Sequence, residues 1–371
     1  MRARAALLWE QPGKWQVEDV ELGEPGFGEV LVKMVATGLC HSDDHIAVGD
    51  VPVGQYPFLG GHEGSAIVRQ VGPGVRHLKE GDHIVTSFIP ACGQCRWCAE
   101  GMQNLCDNGA LILTGSQLDG TFRMKARGKD VPKASMLGTF ANWQVLDETS
   151  CIKIRDDVPL NVACLVACGV PTGWGSAIRG AEVTAGDVVV VMGAGGIGMN
   201  AVQGARFAGA RNVIVVDPVE FKRETALKLG ATEVFGTIGE ATDFAKSITN
   251  GQGADSAIVT VGVIRGEDVN DAFNAIRKAG TVVVTSQGSP ATTGMPVNLF
   301  EISMYQKRIQ GVLYGMDSPR KAVPQLLDLY KQGILRLDEL VTRRYTLDQI
   351  NGAYTDMHAG RNIRGVIEHE H

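Results

Sequence analysis

The sequence has no apolar stretch long enough to cross a bilayer. Its longest apolar run, Val188 to Met199, is interrupted by Gly193, Gly195, Gly196 and Gly198, whereas a spanning helix needs about 20 consecutive apolar residues. Near the N-terminus, Ala5-Ala6-Leu7-Leu8-Trp9 is too short for a signal-peptide core. Excess positive charge is also missing. With 35 Lys and Arg against 41 Asp and Glu, the net charge is -6, so a nucleic-acid or anionic-membrane surface is not expected. Internal repeats, low-complexity tracts and long linkers are lacking. The eight cysteines are not spread as a disulfide framework, because four of them crowd between Cys92 and Cys106. That crowding points to metal. The expectation is a cytoplasmic protein with neither a nucleic-acid nor a membrane partner.

What is present suits two domains. A chain of 371 residues exceeds what one typical core accommodates. The first half carries short β-branched runs such as Glu29 to Val35, Ser65 to Val68 and His83 to Val85. Turn signals such as Pro25-Gly26, Pro73-Gly74 and Glu80-Gly81-Asp82 separate them, which predicts a small β unit, a barrel or sandwich. Near Gly169 the texture changes. Asp187 to Met192 reads as a strand buried on both faces. Helical Gly198 to Ala208, strand Asn212 to Val216, helical Phe221 to Leu229 and a short strand near Val234-Phe235 follow. Later strands are expected at Ser256 to Val261 and Thr281 to Thr285. Alternating β and α elements predict a doubly wound parallel sheet.

The turn after the valine strand is Gly193-Ala194-Gly195-Gly196-Ile197-Gly198. GxGxxG alone is a weak signal, but here it joins a strand to a helix. The first glycine permits the tight turn, the second lets backbone approach a pyrophosphate, and the third lets helix and strand pack closely. An anion then sits at a helix N-terminus. Asp217 ends the next strand, where an acid meets the adenine-ribose 2′-hydroxyl and repels a 2′-phosphate, so NAD is favoured over NADP. The competing reading is an ordinary tight turn with Asp217 as a loop cap.

Cys92, Cys95, Cys98 and Cys106 follow the pattern C-x2-C-x2-C-x7-C. Four thiolates on one short loop can close a tetrahedron around zinc with no open position, which makes a structural site. Disulfides and an iron–sulfur cluster are the alternatives. Cys40, His62 and Cys168 share no local spacing. Taken singly, each has a plain explanation as a buried thiol or a satisfied histidine, and Cys151 and Cys164 keep that explanation.

The words around these residues add more. Gly38-Leu39-Cys40-His41-Ser42-Asp43-Asp44-His45, Gly60-Gly61-His62-Glu63-Gly64 and Cys168-Gly169-Val170-Pro171-Thr172-Gly173 resemble the zinc-binding segments of the medium-chain alcohol dehydrogenase family. The cysteine lobe and the glycine turn fit the same family in the same order, so the resemblance covers essentially the whole chain. It implies a GroES-like β-rich catalytic domain at 1–169 and 313–371, with a structural zinc lobe at 88–107. It also implies a Rossmann NAD-binding domain at 170–312 and an active site in the cleft. Residue by residue, it implies Cys40, His62 and Cys168 as catalytic zinc ligands, with Glu63 behind the metal and Asp43 orienting the histidine. Ser42 and His45 would carry the alcohol proton toward water. The plain alternatives are a helix N-cap for Ser42 and a solvated surface residue for His45.

His41 stands where many relatives carry arginine near the pyrophosphate. Lys222 matches a lysine at the adenosine ribose, and Arg364 a C-terminal arginine on the pyrophosphate. Phe88 and Phe140 match aromatic walls of the substrate pocket, with core packing as the alternative. Ser87 to Gly93, Cys168 to Gly175, Val216 to Arg223 and the insertion-like segment Gly120 to Phe140 resemble one branch more closely, the actinobacterial NDMA-dependent nicotinoproteins. That branch implies two zinc ions, a non-exchanging NAD(H), an alcohol/aldehyde substrate pair and an external acceptor such as mycofactocin. It also implies a homo-oligomer, a dimer on the Rossmann sheet edge or a tetramer. Two other readings compete. One is a conventional NAD-exchanging alcohol or thiol-dependent formaldehyde dehydrogenase. The other is a non-catalytic zinc-stabilised cofactor-binding protein.

Overall fold

A computed structural model describes residues 1–288 and 293–370. The chain divides into two compact units, Met1–Cys168 with Asp317–His371, and Gly169–Met316. The chain therefore leaves the second unit after Met316, four residues beyond the sequence-based boundary. The cause is local: the turn at Tyr314–Met316 presses Gly315 against Pro171 and Gly175, too close for any side chain.

In the first unit, one sheet orders Phe58–Leu59, Arg2–Leu8, Gln16–Leu22, Met124–Ala126 and Lys129–Asp130. The last two strands form a hairpin inside the insertion-like segment. A second sheet runs through Cys151–Lys153, His83–Thr86, Glu63–Val71, Glu29–Gly38, Arg364–Glu368 and Val341–Tyr345. Alternating apolar residues of these strands bury Val30, Val32, Ala66, Val68 and Ile84 in one cluster, joined by Leu146 of strand Trp143–Asp147, which pairs with Glu29–Gly38. Leu7, Leu8, Trp15, Phe58, Phe140 and Tyr354 fill another. Burial on this scale stabilises by about 1.5–3 kcal/mol for each large side chain.

Register in the second sheet positions the chemistry. Gly38 lies opposite Glu63, and Val366 lies opposite Gly38 on the other side. Cys40 follows one strand end by two residues, His62 immediately precedes the next strand, and Arg364 opens the third. Residues distant in sequence therefore converge at one end of the sheet. Only glycine fits at position 38, since a Cβ there would collide with the Glu63 carboxylate and crowd Arg364.

The second unit is an all-parallel sheet in the order Glu233–Phe235, Asn212–Val216, Val188–Met192, Ala254–Val259, Ile276–Val284 and Arg308–Gly311. Every residue of Val188–Met192 is buried, as a central strand covered on both faces requires. Helices Gly196–Phe207, Glu220–Lys228, Ile238–Ser247 and Gly266–Ala275 connect the strands. Two strands differ from expectation. The first ends at Val259 rather than Val261, because Thr260 turns its hydroxyl onto the Met192 and Gly193 carbonyls at 2.9 and 2.7 Å. The second begins at Ile276, directly after a helix. Among the described residues, no single helix is long and apolar enough to cross a membrane.

Candidate metal centres and the cofactor turn

The first centre lies wholly within the first unit. Cys40 holds the N-cap position of helix His41–Val48, with extended backbone. Ser42 is therefore inside the helix rather than its cap, and His45 lies one turn further along the same face. Ligand atoms of Cys40, His62, Glu63 and Cys168 all lie within 4.8 Å of one another. Asp43 fixes the histidine. One of its carboxylate oxygens accepts the Gly61 amide at 2.8 Å, and the other stands 2.9 Å from His62 Nδ1. A carboxylate on Nδ1 leaves Nε2 with its lone pair for a metal. Phe88 meets the His62 ring edge to face at 5.9 Å.

Electrostatics mark this centre as built for a cation. Burial pushes Glu63 up to about 7, against the pull of Arg364. The hydrogen bond from Cys168 holds the Cys40 thiol well below the usual range, against burial, with His62 and Arg364 assisting. The same bond drives Cys168 upward. Burial works against charging His62, but Asp43 and Cys40 prevail and raise it. Without a cation these buried acids cannot all ionise and must share protons, whereas a divalent ion lets both thiols ionise together. Two thiols, one imidazole and one carboxylate are zinc ligands in kind and number. Arg364 ion-pairs with Glu63, whose other oxygen is buried without a hydrogen-bond partner among the described residues.

The second centre is the cysteine lobe, where the Sγ atoms of Cys92, Cys95, Cys98 and Cys106 also lie within 4.8 Å of one another. The Cys92 to Cys98 distance is 3.8 Å. A regular tetrahedron with Zn–S of about 2.3 Å has an edge of about 3.8 Å. The Gln94 and Cys95 amides point at the Cys92 sulfur, both at 3.4 Å, which favours a thiolate. Amide hydrogen bonds from Asp107 and Cys98 lower Cys95 to about 7, while burial pushes Cys98 up to about 12. Four thiol donors and no other group close this site to substrate.

In the second unit the glycine turn has room for an anion. Gly193 adopts a φ of +99°, which side chains rarely tolerate. A Cβ on Gly195 would meet nothing within 4 Å, so this backbone faces open space. Gly195 is the N-cap of helix Gly196–Phe207 and supplies no side-chain cap, so the first amides, including those of Gly196 and Ile197, are left for a ligand. A Cβ on Gly198 would collide with the Gly193 carbonyl. Asp217 is buried, and its two oxygens accept the Ala194 and Val219 amides at 2.8 and 2.9 Å. Each oxygen keeps a further acceptor position for a ribose hydroxyl.

Other sequence-selected residues fall differently. Phe140 is fully buried and packs edge to face on Trp15 and Tyr354, so it has no surface to present to a substrate and is core. Phe88 stays half-buried beside His62. His45 is buried, with Nδ1 on Asp50 at 2.9 Å, and is not a solvated surface residue. His41 is exposed in the first turn of its helix, and Lys222 is half-buried in helix Glu220–Lys228. Arg364 is buried in the first unit on Glu63, a partnership that sequence reasoning missed because only strand register reveals it.

Comparison with known proteins agrees with these centres. A family profile described as "Alcohol dehydrogenase GroES-like domain" matches residues 26–156, and one described as "Zinc-binding dehydrogenase" matches residues 196–332. Alcohol dehydrogenase B of Mycobacterium tuberculosis is 48% identical over 370 residues, covering 100% of this chain and 99% of its own. The NDMA-dependent alcohol dehydrogenase of Amycolatopsis methanolica is 48% identical over 369 residues, with the same coverage. Among solved structures, the benzyl alcohol dehydrogenase of Acinetobacter calcoaceticus superposes with a TM-score of 0.92 at 30% identity, covering 100% of both chains. The two centres fit a structural and a catalytic zinc, and the glycine turn fits NAD.

Proposed function

The chain belongs to the zinc-dependent alcohol dehydrogenase family, and on that premise we propose that it oxidises an alcohol to an aldehyde on an NAD(H) that it retains between turnovers. One observation carries the reading: Cys40, His62 and Cys168 converge in a buried cluster oriented by Asp43. The full-length 48% identity to an NDMA-dependent alcohol dehydrogenase supports the retained cofactor. An external two-electron acceptor, mycofactocin in the expected case, would then reoxidise the NADH in place.

Cys40, His62 and Cys168 would hold the catalytic zinc, and the cysteine lobe would hold the structural one. When bound, the catalytic ion supplies Lewis acidity to the alcohol oxygen. Two thiolates cancel its double charge, and the imidazole adds none. Asp43 keeps the His62 ring in the ligating tautomer. Ser42 has its Oγ 3.6 Å from Cys40 Sγ, so it stands beside the metal site and receives the alcohol proton. His45 takes that proton onward, and NAD, when bound, would supply the hydride acceptor. The Gly193–Gly198 turn would carry the pyrophosphate, with Asp217 on the ribose and Lys222 near it.

Leu299, Phe300 and Met304 are 75%, 60% and 62% exposed on a helix close in sequence to the outermost strand, Arg308–Gly311. This apolar face and the sheet edge, unpaired among the described residues, support a homodimer, and a one-chain mass by light scattering would refute it. All eight cysteines are unpaired, in keeping with a cytoplasmic enzyme. A direct test uses primary alcohols deuterated at the carbinol carbon: ethanol, butanol and benzyl alcohol. After one turnover and denaturation, the released nicotinamide carries deuterium. Aldehyde formation without label in the nicotinamide would refute hydride transfer to NAD.

A further inference from the structure

Helix His41–Val48 ends at Gly49, whose φ of +91° reverses the chain. Asp50 follows at the tip of that turn. Its carboxylate oxygen stands 2.9 Å from His45 Nδ1, and the Val51 amide closes the loop on the His45 carbonyl at 3.1 Å. Gln11 clamps the same loop. Its Nε2 donates to the Ile46 carbonyl and, at 3.0 Å, to the Val51 carbonyl. Its Oε1 accepts the Val53 amide at 3.2 Å and the Tyr56 hydroxyl at 2.7 Å. The turn is thus pinned on both sides of Asp50. The two side chains differ in setting: His45 is 8% exposed and Asp50 52%. His45 Nε2 is buried and has no hydrogen-bond partner among the described residues.

We propose that Asp50 is a positioning residue that fixes the tautomer of His45, making Nε2 the proton acceptor of the relay. The inference rests on the reading of His45 as the outer relay residue. A neutral imidazole carries one N–H, and a carboxylate only accepts. With Asp50 on Nδ1, the hydrogen belongs there and the lone pair belongs to Nε2. Asp43 does the same for His62, so one helix carries a histidine and a carboxylate for two different imidazole orientations. A proton arriving at Nε2 makes an imidazolium beside the Asp50 carboxylate, and that cation returns one proton to water before the next turnover. No atom of Asp50 needs to touch substrate or cofactor.

The test is the rate of reduction of enzyme-bound NAD by alcohol in a single turnover, which excludes product release and reads the hydride transfer that depends on loss of the alcohol proton. Asp50→Asn can either donate to or accept from Nδ1, so it no longer fixes the tautomer. The rate falls about 10- to 100-fold, the size of loss seen when the partner that orients a metal-bound histidine is removed. Zinc content and alcohol KM stay at wild-type values. Asp50→Glu restores most of the rate, and Asp50→Asn adds no further loss to His45→Gln. In the unmutated enzyme, ¹⁵N spectra of labelled histidine show His45 Nε2 unprotonated. A protonated Nε2 there overturns the proposal without any variant. If His45→Gln is slow and Asp50→Asn is normal, Asp50 falls and the relay stands. If His45→Gln is itself normal, the relay reading falls, and Asp50 with it.

Discussion

His62→Ala is expected to lose one zinc per chain, keep the other, and turn over alcohol at least about 10³-fold more slowly. The metal's charge stabilisation is worth several kcal/mol, and each ~1.4 kcal/mol is a factor of ten. The loss is selective because the second zinc depends on four other residues, Cys92, Cys95, Cys98 and Cys106, which form a separate group. Removing His62 also leaves Asp43 buried beside a cavity where the imidazole stood, so some thermal stability goes as well. Elemental zinc per chain and alcohol turnover check this together. Two zinc ions retained with a near-normal rate would refute the ligand assignment.

Gly198→Ala is expected to strip the cofactor while both zinc ions stay. Alanine is the better helix former, so propensity alone would stabilise helix Gly196–Phe207. The added Cβ instead collides with the Gly193 carbonyl and comes within 2.8 Å of Thr260 Oγ1. Thr260 is itself fastened to the Met192 and Gly193 carbonyls, so the turn cannot yield by moving one side chain. Overpacking of this kind costs about 1–3 kcal/mol, which lowers NAD affinity about 10- to 100-fold. Nicotinamide released on denaturation measures it. Wild-type cofactor content in this variant would show that the pyrophosphate does not sit on this turn.

Legibility in the sequence followed the range of the signal. The glycine turn and the cysteine lobe are contiguous, so spacing alone announced the strand-to-helix junction and the four-thiol group. Strand Asn212–Val216 was legible to the residue, because a valine-rich run between a glycine turn and Asp217 leaves little freedom. The convergence of Cys40, His62 and Cys168 has no local spacing; it arises from register, Gly38 opposite Glu63 and Val366 opposite Gly38, and only resemblance of the flanking words pointed to it. Arg364 on Glu63 was not legible for the same reason, and Asp50 on His45 because the contact depends on how the turn at Gly49 folds back on the helix. Phe140 shows the reverse failure. An aromatic in a segment that resembles a pocket wall carries no mark of burial, and its packing on Trp15 and Tyr354 emerges only in three dimensions.

Nicotinamide retained per chain tests the account most directly. The protein is purified without added nucleotide, filtered exhaustively and denatured, and the supernatant is assayed for NAD(H). About one nicotinamide per chain is the predicted result, and alcohol then reduces it in place and an external acceptor reoxidises it. Essentially none, with alcohol oxidation restored only by added NAD and NADH released at each turnover, would contradict the retained cofactor and leave a conventional NAD-exchanging alcohol dehydrogenase.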